Sequence, residues 1–448
     1  MDNRWIGYLP TPIKKRLEGR INLQVIIANM GWLFFDRILR MGLGLFVGVW
    51  VARYLGPEQF GSLNFAIAYV AIFGALSTLG LDGIVVKYVV REPELKFEIL
   101  SSAFLLRLLS GTLAFIGAST LIFFLRPLDF QFQLMIAIIA FGMIIQSFDI
   151  IDLYFQALVK SKYTVIAKNG AFVVSALYRV ILILYKAPLL AFAIASLIEI
   201  VVGSAGLIVF YVRRHEIIQW RPKVITIKTL LAESWPAILS GLAIMIYMRI
   251  DQVMLASMRD NREVGLYSVA LRFSEIWYFL PMIIISSVMP SLTNAKQESE
   301  QLYIHRLQHM FNALVKFAYV IIIPMTFLST FLVSGLYGKL YSGAGGILAI
   351  HIWSALFVFL GVGMSPWLLN EGLLKLSLAI TLSGALLNII LNIFLIPKFG
   401  GMGAASATLI TQMMTSFVAN ALIPRLRLIF WMQVRAIVSP FYYKRRLE

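Results

Sequence analysis

Residues 132–157 read Phe132-Gln-Leu-Met-Ile-Ala-Ile-Ile-Ala-Phe-Gly-Met-Ile-Ile-Gln-Ser-Phe-Asp-Ile-Ile-Asp-Leu-Tyr-Phe-Gln-Ala157. From Leu134 to Ile145 every residue is apolar or glycine. A helix rises about 1.5 Å per residue, so about 20 residues cross the hydrocarbon core of a bilayer. A barrel strand would be about 10 residues long with strict two-residue alternation, and this stretch has neither property. It reads as a transmembrane helix with two aspartates, Asp149 and Asp152, in its inner half.

The pattern recurs along the chain. Twelve segments qualify as spans: 29–52, 60–81, 100–125, 132–157, 164–185, 188–211, 233–257, 264–290, 309–333, 346–369, 376–396 and 402–423. The composition agrees, with 60% hydrophobic and 14% charged residues in 448 and a mean hydropathy of +0.84. A soluble domain carries about 25% charged residues. These values exclude an ordinary soluble enzyme, a disordered chain and a coiled coil. With no cysteine and four histidines, thiolate chemistry is absent, and no metal site and no cofactor are expected. His305 and His309 have i, i+4 spacing but lack an accompanying carboxylate pattern.

The expected fold is an all-α polytopic membrane protein. Its 12 transmembrane helices form two six-helix lobes related by a parallel pseudo-two-fold. The divisions are a cytoplasmic or interfacial segment 1–28, an N-lobe 29–211, an inner linker 212–232, a C-lobe 233–423 and a cytoplasmic or interfacial segment 424–448. Residues 425–446 read as an interfacial helix or as a poor thirteenth span. With the N-terminus inside, inner segments carry 24 Lys and Arg against 7 in outer loops. That asymmetry places both termini in the cytoplasm. It also accounts for most of the +17 net charge as a cytoplasmic face set against anionic lipid rather than nucleic acid. The pseudo-symmetry is suggested by Phe-Gly-Ser-Leu-Asn-Phe-Ala at 60–66 and Val-Gly-Leu-Tyr-Ser-Val-Ala at 264–270, an offset of 204 residues. An even number of helices separates them, so the halves enter the membrane in the same sense.

The functional signal lies in the ionisable residues within spans. The cations are Arg37, Arg40, Arg107, Lys168, Arg179, Arg249, Arg272 and Lys316; the anions are Asp36, Asp149, Asp152, Glu199, Asp251 and Glu275. Each costs about 2.5–3.5 kcal/mol at a helix centre. Fourteen facing lipid would cost on the order of 40 kcal/mol, beyond a typical fold's net stability. Most must face one another or water. Asp36 with Arg40, and Arg272 with Glu275, have the spacing of self-neutralised pairs. Asp149 and Asp152 share a face and a sign, so they need a cation, a shared proton or water. Glu199, Arg107 and Arg179 have no partner on their own helices, and Lys168 and Lys316 lie near span ends where they can snorkel. Arg249 and Asp251 point to different faces, so at least one reaches the bundle interior. Asn388 and Asn392, at i, i+4, suit interhelical hydrogen bonding. Pro236, Pro281, Pro324 and Pro366 imply kinks in the second half.

Two further stretches carry a resemblance. Trp50-Val-Ala-Arg-Tyr-Leu-Gly-Pro-Glu-Gln-Phe-Gly-Ser-Leu-Asn-Phe-Ala66 is similar to the first outer loop of Wzx-type oligosaccharide flippases, and Leu79-Gly-Leu-Asp82 to the inner end of their second helix. Arg249-Ile-Asp-Gln-Val-Met-Leu255, Val264-Gly-Leu-Tyr-Ser-Val-Ala-Leu-Arg272 and Pro290, which closes the eighth helix, extend it. The likeness is to the polysaccharide-transporter branch of the multidrug/oligosaccharidyl-lipid/polysaccharide exporter superfamily. It implies a non-enzymatic flippase of a bacterial inner membrane. Such a protein moves undecaprenyl-diphosphate-linked oligosaccharide outward by alternating access for surface polysaccharide biosynthesis, with membrane lipid and polysaccharide polymerase or export components as partners. No catalytic residue is expected. Arg37, Arg40, Arg107, Arg179, Arg249 and Asp251 are the expected substrate-binding residues, ringing a hydrated cavity. Arginine suits a diphosphate because its planar fork binds phosphate bidentately and stays charged. Asp149, Asp152 and Glu199 are the expected ion-coupling residues. The alternatives are a drug or metabolite exporter or a peptidoglycan-precursor flippase of the same superfamily, and further off a membrane-embedded polysaccharide polymerase or ligase.

Overall fold

The computed structural model describes residues 21–213 and 220–439. Among them every regular element is helical and no strand occurs. In chain order the helices that position the sites are α1 (Ile21–Thr78), α2 (Asp82–Arg91), α3 (Lys96–Leu125), α4 (Phe130–Ile145), α5 (Ile150–Ala157), α6 (Lys162–Leu184), α7 (Leu189–Val212), α8 (Val224–Met258), α9 (Asn261–Glu275), α10 (Phe279–Glu298) and α11 (Glu300–Tyr337). Short helices α12 (Gly343–His351), α13 (Ser354–Gly363) and α14 (Ser365–Asn370) lead into α15 (Leu374–Met413), α16 (Ala419–Leu422) and α17 (Arg427–Val438).

Ten continuous helical stretches among the described residues are long and apolar enough to cross a membrane. Two are far longer than one crossing requires, at 61 residues for Gly31–Arg91 and 49 for Leu374–Leu422. Each holds a glycine with positive φ: Gly56 (φ 70°, ψ 170°) before Pro57, and Gly400 (φ 55°, ψ −132°) shortly after Pro397. Glycine enters that region without a Cβ clash, and the residue before a proline is driven out of the helical region. The first break falls between the stretches 29–52 and 60–81, and the second between 376–396 and 402–423.

Helix ends differ from expectation in several places. Pro290 lies inside α10 and does not close it. Pro236 and Pro324 do lie inside helices, whereas Pro366 sits at the start of α14, where its missing N–H costs nothing. The described part of the C-terminal segment, α17, has 12 residues and is about 18 Å long, too short to span. The expected N-terminal interfacial segment lies outside the described residues up to residue 20, as do residues 440–448 and linker residues 214–219.

The chain divides into two compact units. One takes residues up to Val51 together with Phe73–Gly241; the other takes Ala52–Ile72 with Leu242 onward. This differs from an N-lobe running unbroken over 29–211, and the reason is a helix crossing inside the second unit. A Cβ on Gly61 would stand 1.6 Å from the Asn261 carbonyl oxygen, and one on Gly265 would stand 2.0 Å from the Pro57 carbonyl oxygen. Only glycine allows backbones so close. Gly61 and Gly265, and likewise Pro57 and Asn261, are 204 residues apart, the offset of the sequence repeat. The Tyr341 hydroxyl donates to the Ala52 carbonyl at 2.7 Å, and Arg272 stacks 5.3 Å from the Phe60 ring centroid. These contacts hold Ala52–Ile72 in the second unit.

The first unit packs around Leu81, Val85, Leu106, Ile150, Tyr154 and Tyr211, all buried. The Leu79-Gly-Leu-Asp82 motif shapes its turn. Leu79 and Gly80 both have positive φ (52° and 58°), and a Cβ on Gly80 would meet Ala237 at 2.6 Å. Asp82 then opens α2 as an acidic first-turn residue, where the helix dipole favours it.

Candidate functional site

Among the described residues, each unit gathers ionisable side chains at a polar centre in its apolar interior. In the first, Asp36 and Arg40 form the expected i, i+4 pair on α1, with Oδ1 2.9 Å from Nε. Arg40 also reaches across to Glu199 on α7, at 3.3 Å from Nη1 to Oε1. Arg179 on α6 approaches the other oxygen of Glu199 at 3.6 Å. Glu199, with no partner on its own helix, is thus bridged by two guanidiniums from other helices. The Arg40 guanidinium also lies 5.2 Å from the Phe172 ring centroid, a favourable cation–π position.

Beside this group the expected fourth span is not one regular helix. It tightens to a 3₁₀ turn at Gln146–Asp149 between α4 and α5. That turn and the first turn of α5 aim Asp149 and Asp152 at one cation, the Lys168 ammonium on α6, at 3.3 and 3.0 Å. Of a cation, a shared proton or water, a cation meets the like charges. Lys168 does not merely snorkel to a span end. Arg40, Gln146, Asp149, Lys168, Glu199 and Ser204 are among the residues lining a cavity of about 150 Å³, room for about five waters at ~30 Å³ each.

Arg179 and Asp152 stand behind that wall, paired to residues on it, and Arg107 and Arg37 are not on it. Arg107 is 4% exposed and is bound to Asp82, so the Leu79–Asp82 motif supplies its counter-charge. Arg37 is exposed.

The second centre is of another kind. Asp251 on α8 is 3% exposed. Its Oδ2 accepts the Tyr267 hydroxyl at 2.6 Å and the Thr408 hydroxyl, and its Oδ1 accepts the Asn392 amide at 2.6 Å. Asn392 also donates to Asn388, one turn earlier on the same helix, at 3.0 Å; the expected bond between helices is the one from Asn392 to Asp251. Every donor on Asp251 is neutral. Asn392 precedes the Gly400 break in α15 and Thr408 follows it, so the break lets both arms of the helix reach one carboxylate. Arg249 faces elsewhere and approaches Glu275 at 3.7 Å; the expected Arg272–Glu275 pairing is replaced by this one. Asp251, Glu275, Tyr247, Tyr278, His351 and Met282 help line a cavity of about 320 Å³. His351 is buried, with Nδ1 2.9 Å from the Ser274 hydroxyl.

Sequence reading missed Tyr267 and Thr408 as site residues. Tyr267 stands in the Val264-Gly-Leu-Tyr repeat stretch, which offered a signal; Thr408 offered none. His305 and His309 meet each other, Nε2 to Nε2 at 3.0 Å. Among the described residues no three His, Asp or Glu side chains converge as a metal site.

A bundle of long apolar helices with ionisable groups gathered inside is the architecture of a multi-pass membrane transporter. Residues 26–296 match the family described as Polysaccharide biosynthesis protein, more than half of the chain, and the chain belongs to that family. Residues 236–394 also match MatE. The probable flippase AglR of Haloferax volcanii is 30% identical over 196 residues, 42% of this chain. The match spans 40% of that relative's length. Among solved structures, the lipid II flippase MurJ in an inward closed conformation superposes with TM-score 0.67 at 17% identity, covering 93% of this chain and 92% of that one. An inward-facing multidrug resistance MATE family transporter of the MOP superfamily gives TM-score 0.66 at 16% identity, covering 90% and 96%. These likenesses establish a MOP-superfamily transporter fold.

Proposed function

We propose that the chain is a flippase that moves undecaprenyl-diphosphate-linked oligosaccharide from the inner to the outer leaflet by alternating access. In this reading it lies in a bacterial cytoplasmic membrane with both termini inside, and hands its cargo to polysaccharide polymerase or export components. The observation that carries the reading is the convergence of Arg40 and Arg179 on Glu199 beside a polar cavity in an otherwise apolar unit. Guanidinium forks on and next to such a wall suit a diphosphate, while the polyprenyl tail stays in lipid. The family match to polysaccharide biosynthesis proteins supports a glycan cargo.

Asp251 supports a coupling role. A carboxylate charge costs several kcal/mol to bury, and neutral donors offset only part of that. A proton or a small cation would remove the charge. Asp149, Asp152 and Glu199 also remain proposed coupling groups, but there an incoming ion must compete with Lys168 or with two arginines.

The test is deletion of the gene and identification of the lipid-linked glycan that accumulates in the inner leaflet. No accumulation, with normal surface glycan, would remove the reading. A second reading, export of a small organic cation, is favoured by the second-unit cavity alone. Its volume of about 320 Å³ lies at the lower end of small-molecule pockets, and its wall carries Asp251 and Glu275 beside Tyr247 and Tyr278. Cation-stimulated growth sensitivity in the deletion strain, without glycan accumulation, would select it.

A further inference from the structure

The charges around the first-unit cavity do not sum to a cationic site. Asp36, Asp149, Asp152 and Glu199 stand against Arg40, Lys168 and Arg179, so anions outnumber cations by one. A polyanion can enter such a cluster only by displacing one of its carboxylates, and the distances say which. Asp36 is held at 2.9 Å by Arg40 of its own helix. Asp149 and Asp152 are held at 3.3 and 3.0 Å by one ammonium. Glu199 makes longer contacts overall, at 3.3 and 3.6 Å, with one oxygen given to each guanidinium. Good charge-assisted bonds run about 2.7–2.9 Å, and an arginine fork normally takes a carboxylate in a bidentate manner. Glu199 achieves neither.

We infer that Glu199 is an internal stand-in for the substrate's phosphate, holding Arg40 and Arg179 while the site is empty and giving them up when a diphosphate arrives. The inference rests on the flippase reading and adds a selectivity mechanism to it. Arg40 keeps Asp36 when Glu199 leaves, so its guanidinium stays oriented. Glu199 itself lines the cavity, so its carboxylate borders open space when it leaves the arginines. An anion with one charge only replaces the carboxylate like for like and gains little. A diphosphate brings more oxygens and more charge, so it can take both forks bidentately. The exchange therefore favours an anion with two phosphoryl groups, able to reach both forks, over chloride and over a monophosphate ester, whose charge of about −1.5 to −2 sits on a single phosphorus. It also explains a site for a charged cargo that is itself close to neutral when empty, which lowers the cost of carrying it in a membrane.

The experiment is calorimetric titration of farnesyl diphosphate and farnesyl monophosphate into the purified full chain in nanodiscs. The Glu199→Gln variant is expected to bind the diphosphate about tenfold tighter than wild type, equivalent to about 1.4 kcal/mol, and to discriminate less against the monophosphate. Glu199→Asp, which keeps the charge but is one methylene too short to bridge both guanidiniums, is expected to show a smaller gain of the same sign and stands in if the Gln variant does not fold. Binding equal to or weaker than wild type in both variants, with Arg40→Ala and Arg179→Ala abolishing it, would overturn the stand-in while leaving the phosphate reading intact. Absence of binding by wild type, or binding indifferent to both arginines, would overturn the phosphate reading and the stand-in with it.

Discussion

The two polar centres neutralise buried acids by opposite means. In the first unit's polar centre the carboxylates meet cations: Asp149 and Asp152 share Lys168, and Glu199 bridges two arginines. In the second unit Asp251 meets only hydroxyls and an amide. The difference teaches what each can exchange. An ion pair can trade one partner for another of the same sign, which suits an anionic cargo. A carboxylate surrounded by neutral donors can trade only the proton or cation that removes its charge, which suits a coupling ion. Under the proposed flippase reading, the two solutions would divide cargo from driving force.

Removing the shared cation should break this contrast most severely. Lys168→Met leaves Asp149 and Asp152 facing each other in a half-buried site, and breaking a buried ion pair costs about 3–5 kcal/mol when solvent is fully excluded. With about a third of the lysine side chain exposed (31%), about 2–4 kcal/mol is expected, read as a lowered thermal unfolding midpoint in detergent. Adding Asp149→Asn and Asp152→Asn should recover most of it. A single variant as stable as wild type would mean that the pairing does not hold this turn in place.

Tyr267→Phe sharpens the description of the other centre. Deleting a hydrogen bond to a charged acceptor costs about 1.5–3 kcal/mol, against about 1 kcal/mol for a neutral one. The expected value is in the upper range, marking Asp251 as ionised with a cation taking the place of a proton. A loss near the lower figure, measured by the same unfolding assay, would identify the protonated acid instead.

Asp251→Asn should separate stability from coupling. The amide has nearly the shape of the acid and needs no counter-ion, so stability should stay within about 1 kcal/mol of wild type. Flipping in proteoliposomes should fall about tenfold, a loss equivalent to about 1.4 kcal/mol, and should stop responding to imposed sodium or proton gradients. Retained gradient dependence would move the coupling role back to Asp149, Asp152 or Glu199.

Much of this architecture was legible because the signals were local. Span length and hydropathy need only consecutive residues, and Asp36 with Arg40 needed only helical spacing. The Gly61 and Gly265 positions stood out as a repeat, although their role as the point where two backbones touch depends on residues 204 apart meeting in space. What stayed hidden was partner choice across helices. Nothing in the spacing couples Arg107 to Asp82, Lys168 to Asp152, or Arg249 to Glu275 in place of Arg272. Thr408 is a plain hydroxyl in an apolar run, and it joins Asp251 only because α15 turns at Gly400. The grouping of Ala52–Ile72 with the second unit was equally invisible, since hydropathy assigns a helix to the membrane and not to a neighbour.

The smallest effect is expected at a residue adjacent in type and position to an important one. Arg37 and Arg40 lie three residues apart on α1, and sequence reading treated them alike. Three residues turn a helix by about 300°, enough for neighbouring positions to meet different surroundings, and here they do: Arg40 is half-buried and paired with Asp36 and Glu199, whereas Arg37 is exposed. Substitution of a surface residue away from caps and networks usually changes stability by less than about 0.5 kcal/mol. Arg37→Ala should therefore leave unfolding and lipid-linked oligosaccharide export at wild-type levels, while Arg40→Ala strands the cargo in the inner leaflet. Exchanging Asp36 and Arg40 adds a discriminating control. If Arg40 serves only to neutralise Asp36, the exchanged pair restores export; if it must also meet Glu199 and the cargo, the exchange preserves insertion but not export. Export lost in Arg37→Ala to the same degree as in Arg40→Ala would show that the face of α1, and not the particular side chain, carries the cargo, and the contrast between the ionic and the neutral centre would lose its basis in the first unit.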